Sequence, residues 1–281
     1  MAATKLSIIS VEKPWGRRNL GFGFADVPGE APPVGEIWFD APLGVTHELM
    51  VKYLFTSERL SIQVHPSDEQ AQQRGLKSGK EEAWIILATE PGATIAMGTL
   101  VPLSGDELRR AALDGSIETL MDWKPVNAGD VYYLPAGTVH AIGAGITLIE
   151  VQQNMDVTYR LYDYGRPREL HLDVGIAVSR AEPFVADTPS VRLDEGRAIL
   201  VQGRKFVIEQ WTWAGTRSLK LPDGIEGWLI PVSGEADIGA HNIWAGECWS
   251  LSNQCDVKLS SGAQMLFAYA GPVPLPLFAG V

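Results

Sequence analysis

Gln63, His65, Glu82 and His140 are the residues of this chain whose types and spacing can do chemistry. Two imidazoles, a carboxylate and an amide oxygen form a donor set that suits a zinc-like divalent cation. Such an ion, with one coordination position left for water or substrate, is a Lewis acid toward an oxygen gaining negative charge. A single carboxylate leaves the ion net positive, which favours an anionic intermediate. Singly, these residues carry little. A histidine in a β-rich chain is more often a hydrogen-bonded structural residue, and a glutamine nearly always is. Their weight comes from the set.

Three short elements must bring the set together. Gln63 and His65 are two apart, so on a strand both side chains point to one face. Glu82 opens a second β-like run, Ala83-Trp84-Ile85-Ile86-Leu87, and His140 follows the Pro135-Ala136-Gly137 turn on an expected antiparallel partner. Further strands are expected at 49–55, 60–64, 83–87, 130–134, 146–151 and 158–162, where β-branched and aromatic runs fall between dispersed glycine and proline. Helical periodicity is scarce. Ser104 is a candidate N-cap for a helix ending near Gly115, and a shorter piece covers 117–121, a modest insertion over about 104–121. The fold class is therefore mainly β.

The 281 residues suffice for a proper core and for two domains. A net charge of −11 argues against a nucleic-acid partner, while leaving room for a small phosphorylated ligand held by a few local cations. No apolar stretch is long enough to span a bilayer, and the start lacks a signal-peptide run. With only Cys248 and Cys255, a reducing cytoplasm is the simplest location. Pro183, Thr188 and Pro189 interrupt the strand pattern. They divide a metal-binding domain, 1–185, from a smaller β domain, 191–281, without a metal site. In the latter, Gly246-Glu247-Cys248-Trp249-Ser250-Leu251 loosely echoes Gly129-Asp130-Val131-Tyr132-Tyr133-Leu134. The echo stops where chemistry would start: Ser252, Gln254 and Val257 stand where Pro135, Gly137 and His140 stand in the first copy.

The spacing from Gly129 through Pro135 and Gly137 to His140 resembles the second motif of the cupin superfamily, with Gln63-Val64-His65 in place of the usual His-x-His and Ala144 in place of a common Asn. Around it, Ser61-Ile62-Gln63-Val64-His65-Pro66, Gly79-Lys80-Glu81-Glu82, Pro135-Ala136-Gly137-Thr138-Val139-His140 and Thr158-Tyr159-Arg160-Leu161-Tyr162-Asp163 resemble type I mannose-6-phosphate isomerases. Lys13-Pro14-Trp15-Gly16, Gly35-Glu36-Ile37-Trp38 and Pro167-Arg168-Glu169-Leu170-His171 extend the resemblance over roughly residues 11 to 175. It implies a cupin-type β-barrel followed by a degenerate second one, and one Zn2+ held by Gln63, His65, Glu82 and His140. Arg160 matches the family's active-site arginine, and Lys80 and Ser61 its pocket lysine and serine. Glu150 stands at the place of an acidic site residue. Arg17 and Met155 depart from the family pattern, and a large helical domain of longer members is absent.

The implied reaction moves a proton between the adjacent carbons of mannose 6-phosphate and fructose 6-phosphate through an enediol. Lys80, Glu150 and a metal-bound water are each suited to carry that proton. Glu150 is the chosen base, because a carboxylate facing a barrel interior has a raised pKa. Alternation alone places it outward equally well. Arg160 is an anchor for phosphate or enediolate charge. Trp15 and Trp84 are expected beside the sugar, His171 in a supporting place, and His47 and His241 on the surface. A monomer or weak homodimer is expected. A cupin oxygenase with iron at the same ligands and a non-catalytic sugar-phosphate binder are the alternatives.

Overall fold

A computed structural model describes residues 3–41, 46–185 and 190–278, so the expected interruption at Thr188 and Pro189 lies outside the described residues. In chain order the first strands are β1 (Ala3–Lys5), β2 (Ser7–Arg17), β3 (Val34–Asp40), β4 (Leu49–Thr56), β5 (Ile62–Val64) and β6 (Glu82–Thr89). There follow β7 (Thr94–Thr99), β8 (Met121–Pro125), β9 (Val131–Leu134), β10 (His140–Ile142), β11 (Ile146–Gln153) and β12 (Tyr159–Tyr162). The second half contributes β13 (Val191–Asp194), β14 (Arg197–Gln202), β15 (Phe206–Trp211), β16 (Gly215–Lys220) and β17 (Glu226–Ser233). It closes with β18 (Glu235–Ile238), β19 (His241–Trp244), β20 (Trp249–Ser252), β21 (Gln254–Leu259) and β22 (Gln264–Ala270).

Each half is a pair of facing antiparallel sheets. The first pairs β2-β3-β4-β11-β6-β9 with β12-β5-β10-β7-β8, and the second pairs β13-β14-β15-β22-β17-β20 with β16-β21-β18-β19. Adding eleven to each strand number from β2 to β11 converts one arrangement into the other, so the halves share one jelly-roll winding. The Gly129 and Gly246 segments that echo each other in sequence lead into β9 and β20, which hold the same place in the two barrels. One strand crosses the divide: β1 pairs with β20 of the second half.

The two larger sheets pack back to back. Val51, Tyr53 and Ile149 of the first share a buried cluster with Ile208, Ile230 and Leu266 of the second. Consequently β4 and β11 are buried on both faces, Lys52, Leu54 and Glu150 facing into the first barrel. On the smaller sheet, Ile62, Val64 and Ala141 point outward into a cluster with Leu108, Ala111 and Ala112 of a helix. That helix is α2 (Gly105–Asp114), preceded by the short α1 (Asp68–Gln72) and followed by α3 (Ile117–Leu120) and α4 (Leu172–Val178). As expected, Ser104 caps α2, in a reciprocal box with Glu107, and Gly115 ends it at φ 83°. The helices seal the outer face of the smaller sheet, and alternation then turns Gln63, His65 and His140 inward.

Candidate metal centre and adjoining cavity

The Pro135–Gly137 turn does more than deliver His140. Gly137, at φ 87°, donates its N–H to the His65 carbonyl at 2.8 Å, joining the two histidine-bearing segments. His140 then pairs directly with Gln63 across β10 and β5. Glu82 comes from the opposite sheet, first in β6. Ligating atoms of His65, Glu82 and His140 lie within 4.8 Å of one another, all buried, and this is the one grouping of three or more His, Cys, Asp or Glu among the described residues.

His65 Nδ1 donates to the Val157 carbonyl at 2.7 Å, and His140 Nδ1 to that of Thr138 at 2.8 Å. Each ring's Nε2 is thereby left as a lone pair facing the same carboxylate. His65 Nε2 is 3.3 Å from Glu82 Oε2, and His140 Nε2 is 3.3 Å from Oε1. These match the edges of roughly 3.3 Å that about 2.05 Å bonds to a tetrahedral zinc require. Burial, with the Lys80 ammonium adding to it, pushes His65 down to about 3. Burial also lowers His140, although Glu82 opposes it. Both imidazoles are therefore neutral ligands at neutral pH. Glu82 is fully buried and neither oxygen has a hydrogen-bond partner. Lys80 Nζ sits 2.7 Å from its Oε2 as an ion contact without hydrogen-bond geometry. Burial alone would raise Glu82; Lys80 and the imidazoles outweigh it and hold the carboxyl well below its usual range. A buried carboxylate with orphaned oxygens facing two imidazole lone pairs fits a cation. The Gln63 amide lies against this cluster, Nε2 3.4 Å from His140 Nε2 and Oε1 accepting from Ser61. Rotation of the amide by 180° turns its oxygen to the same point.

Beside the cluster opens a cavity of about 270 Å³, lined by five cations (Lys13, Lys52, Lys80, Arg160, Arg168) and three carboxylates (Glu36, Glu150, Asp156). Trp15, Ser61 and Gln63 line it too. Two of its lining residues, Lys52 and Glu150, stand side by side in one row of directly opposed residues across five strands, Trp38, Lys52, Glu150, Trp84 and Tyr132. Glu150 Oε1 accepts from Lys80 at 3.3 Å and Oε2 from Trp84 Nε1 at 3.2 Å. Burial and then Glu82 push the Glu150 carboxyl up, against Lys80 and Lys52. Burial opposes the charge on Lys80, but Glu150 and Glu82 outweigh it and raise that ammonium. Arg160, opposite Gln63 on β12, gives Nη1 to the Glu169 carbonyl at 2.8 Å, and its buried Nε has no partner.

No family model matches the chain. Mannose-6-phosphate isomerase of Streptococcus mutans is 36% identical over 176 residues, 60% of this chain and 55% of that protein. Mannose-6-phosphate isomerase ManA of Bacillus subtilis is 36% identical over 204 residues, 66% and 64% of the two. Over these segments the chain is similar to mannose-6-phosphate isomerases. It spans between about half and two thirds of the length of these curated relatives. The fold extends the likeness to nearly the whole chain. The crystal structure of the Bacillus subtilis mannose 6-phosphate isomerase superposes with a TM-score of 0.79 at 25% identity, covering 95% of this chain and 99% of that one. A zinc-bound mannose 6-phosphate isomerase shares the fold with a TM-score of 0.74 over 96% of this chain and all of its own, at 14% identity.

Against this site, the sequence-predicted residues sort clearly. Gln63, His65, Glu82 and His140 converge, and Ser61, Lys80, Glu150, Arg160 and Trp15 all line the adjoining cavity. Glu150 faces inward, since alternation on a strand buried on both faces allows it. Trp84 does not flank the cavity: it is fully buried and its indole N–H holds Glu150. His171 braces Arg160, its Nδ1 accepting the Arg160 N–H at 3.1 Å while its own N–H donates to the Arg160 carbonyl at 2.7 Å. His47 is not a surface residue. It is 5% exposed, with Nδ1 2.6 Å from Glu226 Oε2 and its ring edge-on to Trp228. His241 is exposed.

Lys52 is the main residue that motif reading missed. It is 3% exposed, 3.9 Å from Glu150, 3.7 Å from Asp156, and 4.2 Å above the Trp38 ring. Burial and the neighbouring Lys80 lower its pKa against the pull of Glu150. Its signal was there: a lone charge inside Leu49-Met50-Val51-Lys52-Tyr53-Leu54-Phe55, a run whose both faces are apolar. Arg168, clamped to Asp163 at 2.6 and 2.7 Å, was likewise read only as part of a motif.

Proposed function

We propose that this chain is a mannose-6-phosphate isomerase, converting mannose 6-phosphate and fructose 6-phosphate into each other with a zinc ion held by Gln63, His65, Glu82 and His140. The observation that carries the reading is the junction of two features. An orphaned carboxylate between two neutral imidazoles lies directly behind Gln63 and Lys80, and both of these line a cavity that also holds Lys52 and Glu150.

A bound divalent ion supplies Lewis-acid stabilisation to negative charge developing on the sugar oxygens. Glu150 carries the proton, leaving C2 of the aldose and returning to C1, while a hydroxyl proton passes from O2 to O1; nothing is gained or lost. Its raised carboxyl brings proton affinity nearer to working pH, and Trp84 Nε1 and Lys80 keep it from turning away. Lys80 and Lys52 place two ammonium groups against the anionic enediol. Arg160, with Arg168 beside it in the lining, provides a planar donor for the phosphate, and Trp15 offers an apolar face to the sugar. On this reading the chemistry belongs to residues 1–185, the half that carries His65, Glu82 and His140.

The test is turnover of mannose 6-phosphate, with and without a chelator and zinc add-back, together with solvent-proton exchange at the sugar carbons. Turnover that depends on the metal supports the reading. Ligand binding without exchange makes the chain a binder, and robust turnover by metal-free protein removes the metal mechanism.

A further inference from the structure

Among the described residues the metal-type cluster lies in the first barrel, yet a turn of the second barrel between β14 and β15, Gly203-Arg204-Lys205, grips the segment that carries Lys80 and Glu82. Lys205 Nζ lies 2.5 Å from Asp68 Oδ2. Asp68 Oδ1 accepts from the Gly79 amide at 2.8 Å and from Gln153 Nε2 at 3.0 Å. Gln153 closes on Glu81 from both ends: its Oε1 accepts the Glu81 N–H at 3.0 Å, and its own N–H donates to the Glu81 carbonyl at 3.1 Å. A second line runs in parallel. The Arg204 N–H donates to the Tyr133 hydroxyl at 3.0 Å, and that hydroxyl donates to the Glu81 carboxylate. Both contacts allow no slack. A Cβ on Gly203 would come within 2.4 Å of the Tyr133 ring, and one on Gly79 within 2.3 Å of the Pro66 carbonyl oxygen.

Glu81 lies between Lys80 and Glu82, so along extended backbone its side chain leaves one face while theirs leave the other. Fixing Glu81 from outside therefore fixes the aim of Lys80 and Glu82 on the inside. A donor set tolerates only small displacements before affinity or rate falls.

We propose that the Gly203–Lys205 turn is a positioning element for the metal centre. Lys205 acts through Asp68 and Gln153, and Tyr133 through Glu81, to set where Glu82 and Lys80 point. This rests on the reading of His65, Glu82 and His140 as metal ligands and gives the second barrel a functional task.

The experiment measures zinc affinity of the folded full chain by competition with a chromogenic chelator, alongside kcat and KM for mannose 6-phosphate. The variants are Lys205→Ala, Tyr133→Phe, the two combined, Lys205→Arg, and Ile243→Ala as a destabilised control deep in the second barrel. The combined variant is expected to bind zinc about 10- to 100-fold more weakly, the range seen when partners behind metal ligands are removed. Its kcat should fall about tenfold with KM within about twofold. Lys205→Arg should restore most of the affinity, and Ile243→Ala should lower the melting temperature while leaving the zinc affinity unchanged. A folded combined variant that binds zinc as tightly as the wild type overturns the proposal, as does equal weakening in Ile243→Ala. A wild type that binds zinc without isomerising sinks the proposed reaction alone, because zinc affinity still tests the turn. A wild type that binds no zinc overturns both.

Discussion

The two barrels have the same winding and opposite interiors. Across five equivalent strands the first carries Trp38, Lys52, Glu150, Trp84 and Tyr132, while the second carries Ile199, Glu209, Phe267, Leu229 and Trp249. Both rows include a buried acid, but the acids are not alike. Glu209 accepts from Arg197 at 2.6 and 2.7 Å, from Trp211 at 2.9 Å and from Tyr269 at 2.8 Å. In the first barrel, Glu82 has no hydrogen-bond partner and Glu150 is shared among cations that also face a cavity. A buried charge whose lone pairs are all used is structure; one whose lone pairs stay free marks a site. The second barrel is also shut. Phe278 packs at 5.3 and 5.2 Å on Trp211 and Trp213, with the guanidiniums of Arg197 and Arg217 against its ring.

That contrast can be broken most directly at Glu82. Glu82→Ala is expected to lower kcat/KM by about four orders of magnitude, the several kcal/mol that a metal supplies to developing charge. Metal analysis of the purified variant should show the loss of the ion in parallel. Next, Glu150→Gln should reduce kcat by about 10²- to 10⁴-fold with the metal retained; normal kcat in a metal-loaded variant would assign the proton to another group. Arg197→Met in the second barrel should act on stability instead, by about 3–5 kcal/mol in denaturant unfolding, since it leaves Glu209 buried and unpaired. Turnover below the melting transition should stay at the wild-type level, and a drop there would mean the two interiors are not separate in function. The smallest effect concerns pH. Burial raises Asp68, but Lys205, the Gly79 amide and Gln153 outweigh it and leave its pKa lowered. A lowered folded pKa means that the contribution is present above the unfolded value and lost as pH falls through the folded one. The stability difference between wild type and Asp68→Asn should therefore be full near neutrality and vanish in acid, measured by urea unfolding at several pH values.

Much of this was legible residue by residue. The spacing of Gln63 and His65, the Pro135–Gly137 turn before His140 and the Ser104 cap with Glu107 are local rules, and the structure follows them. The echo between Gly129 and Gly246 was legible as well, although only strand order shows how far it extends. What stayed hidden was whatever depends on two faces being buried at once. Lys52 looked like one charge in a strand, and the placement of His47 needed Glu226, 179 residues away. Helix α4 escaped because Gly175 among Val174, Ile176 and Val178 lowers its helical propensity, and packing on β12, α2 and β5 supports it.

By itself, then, the sequence determined the donor types, their strand parity and the turns that deliver them, because these are properties of a few consecutive residues. The tertiary structure decided that Glu82 meets both imidazoles across two sheets, that Glu150 faces inward onto Lys52 and Lys80, and that a turn of the second barrel touches the segment behind them. Those facts depend on which sheet faces which and on where water is excluded, and no local pattern of residues carries that information.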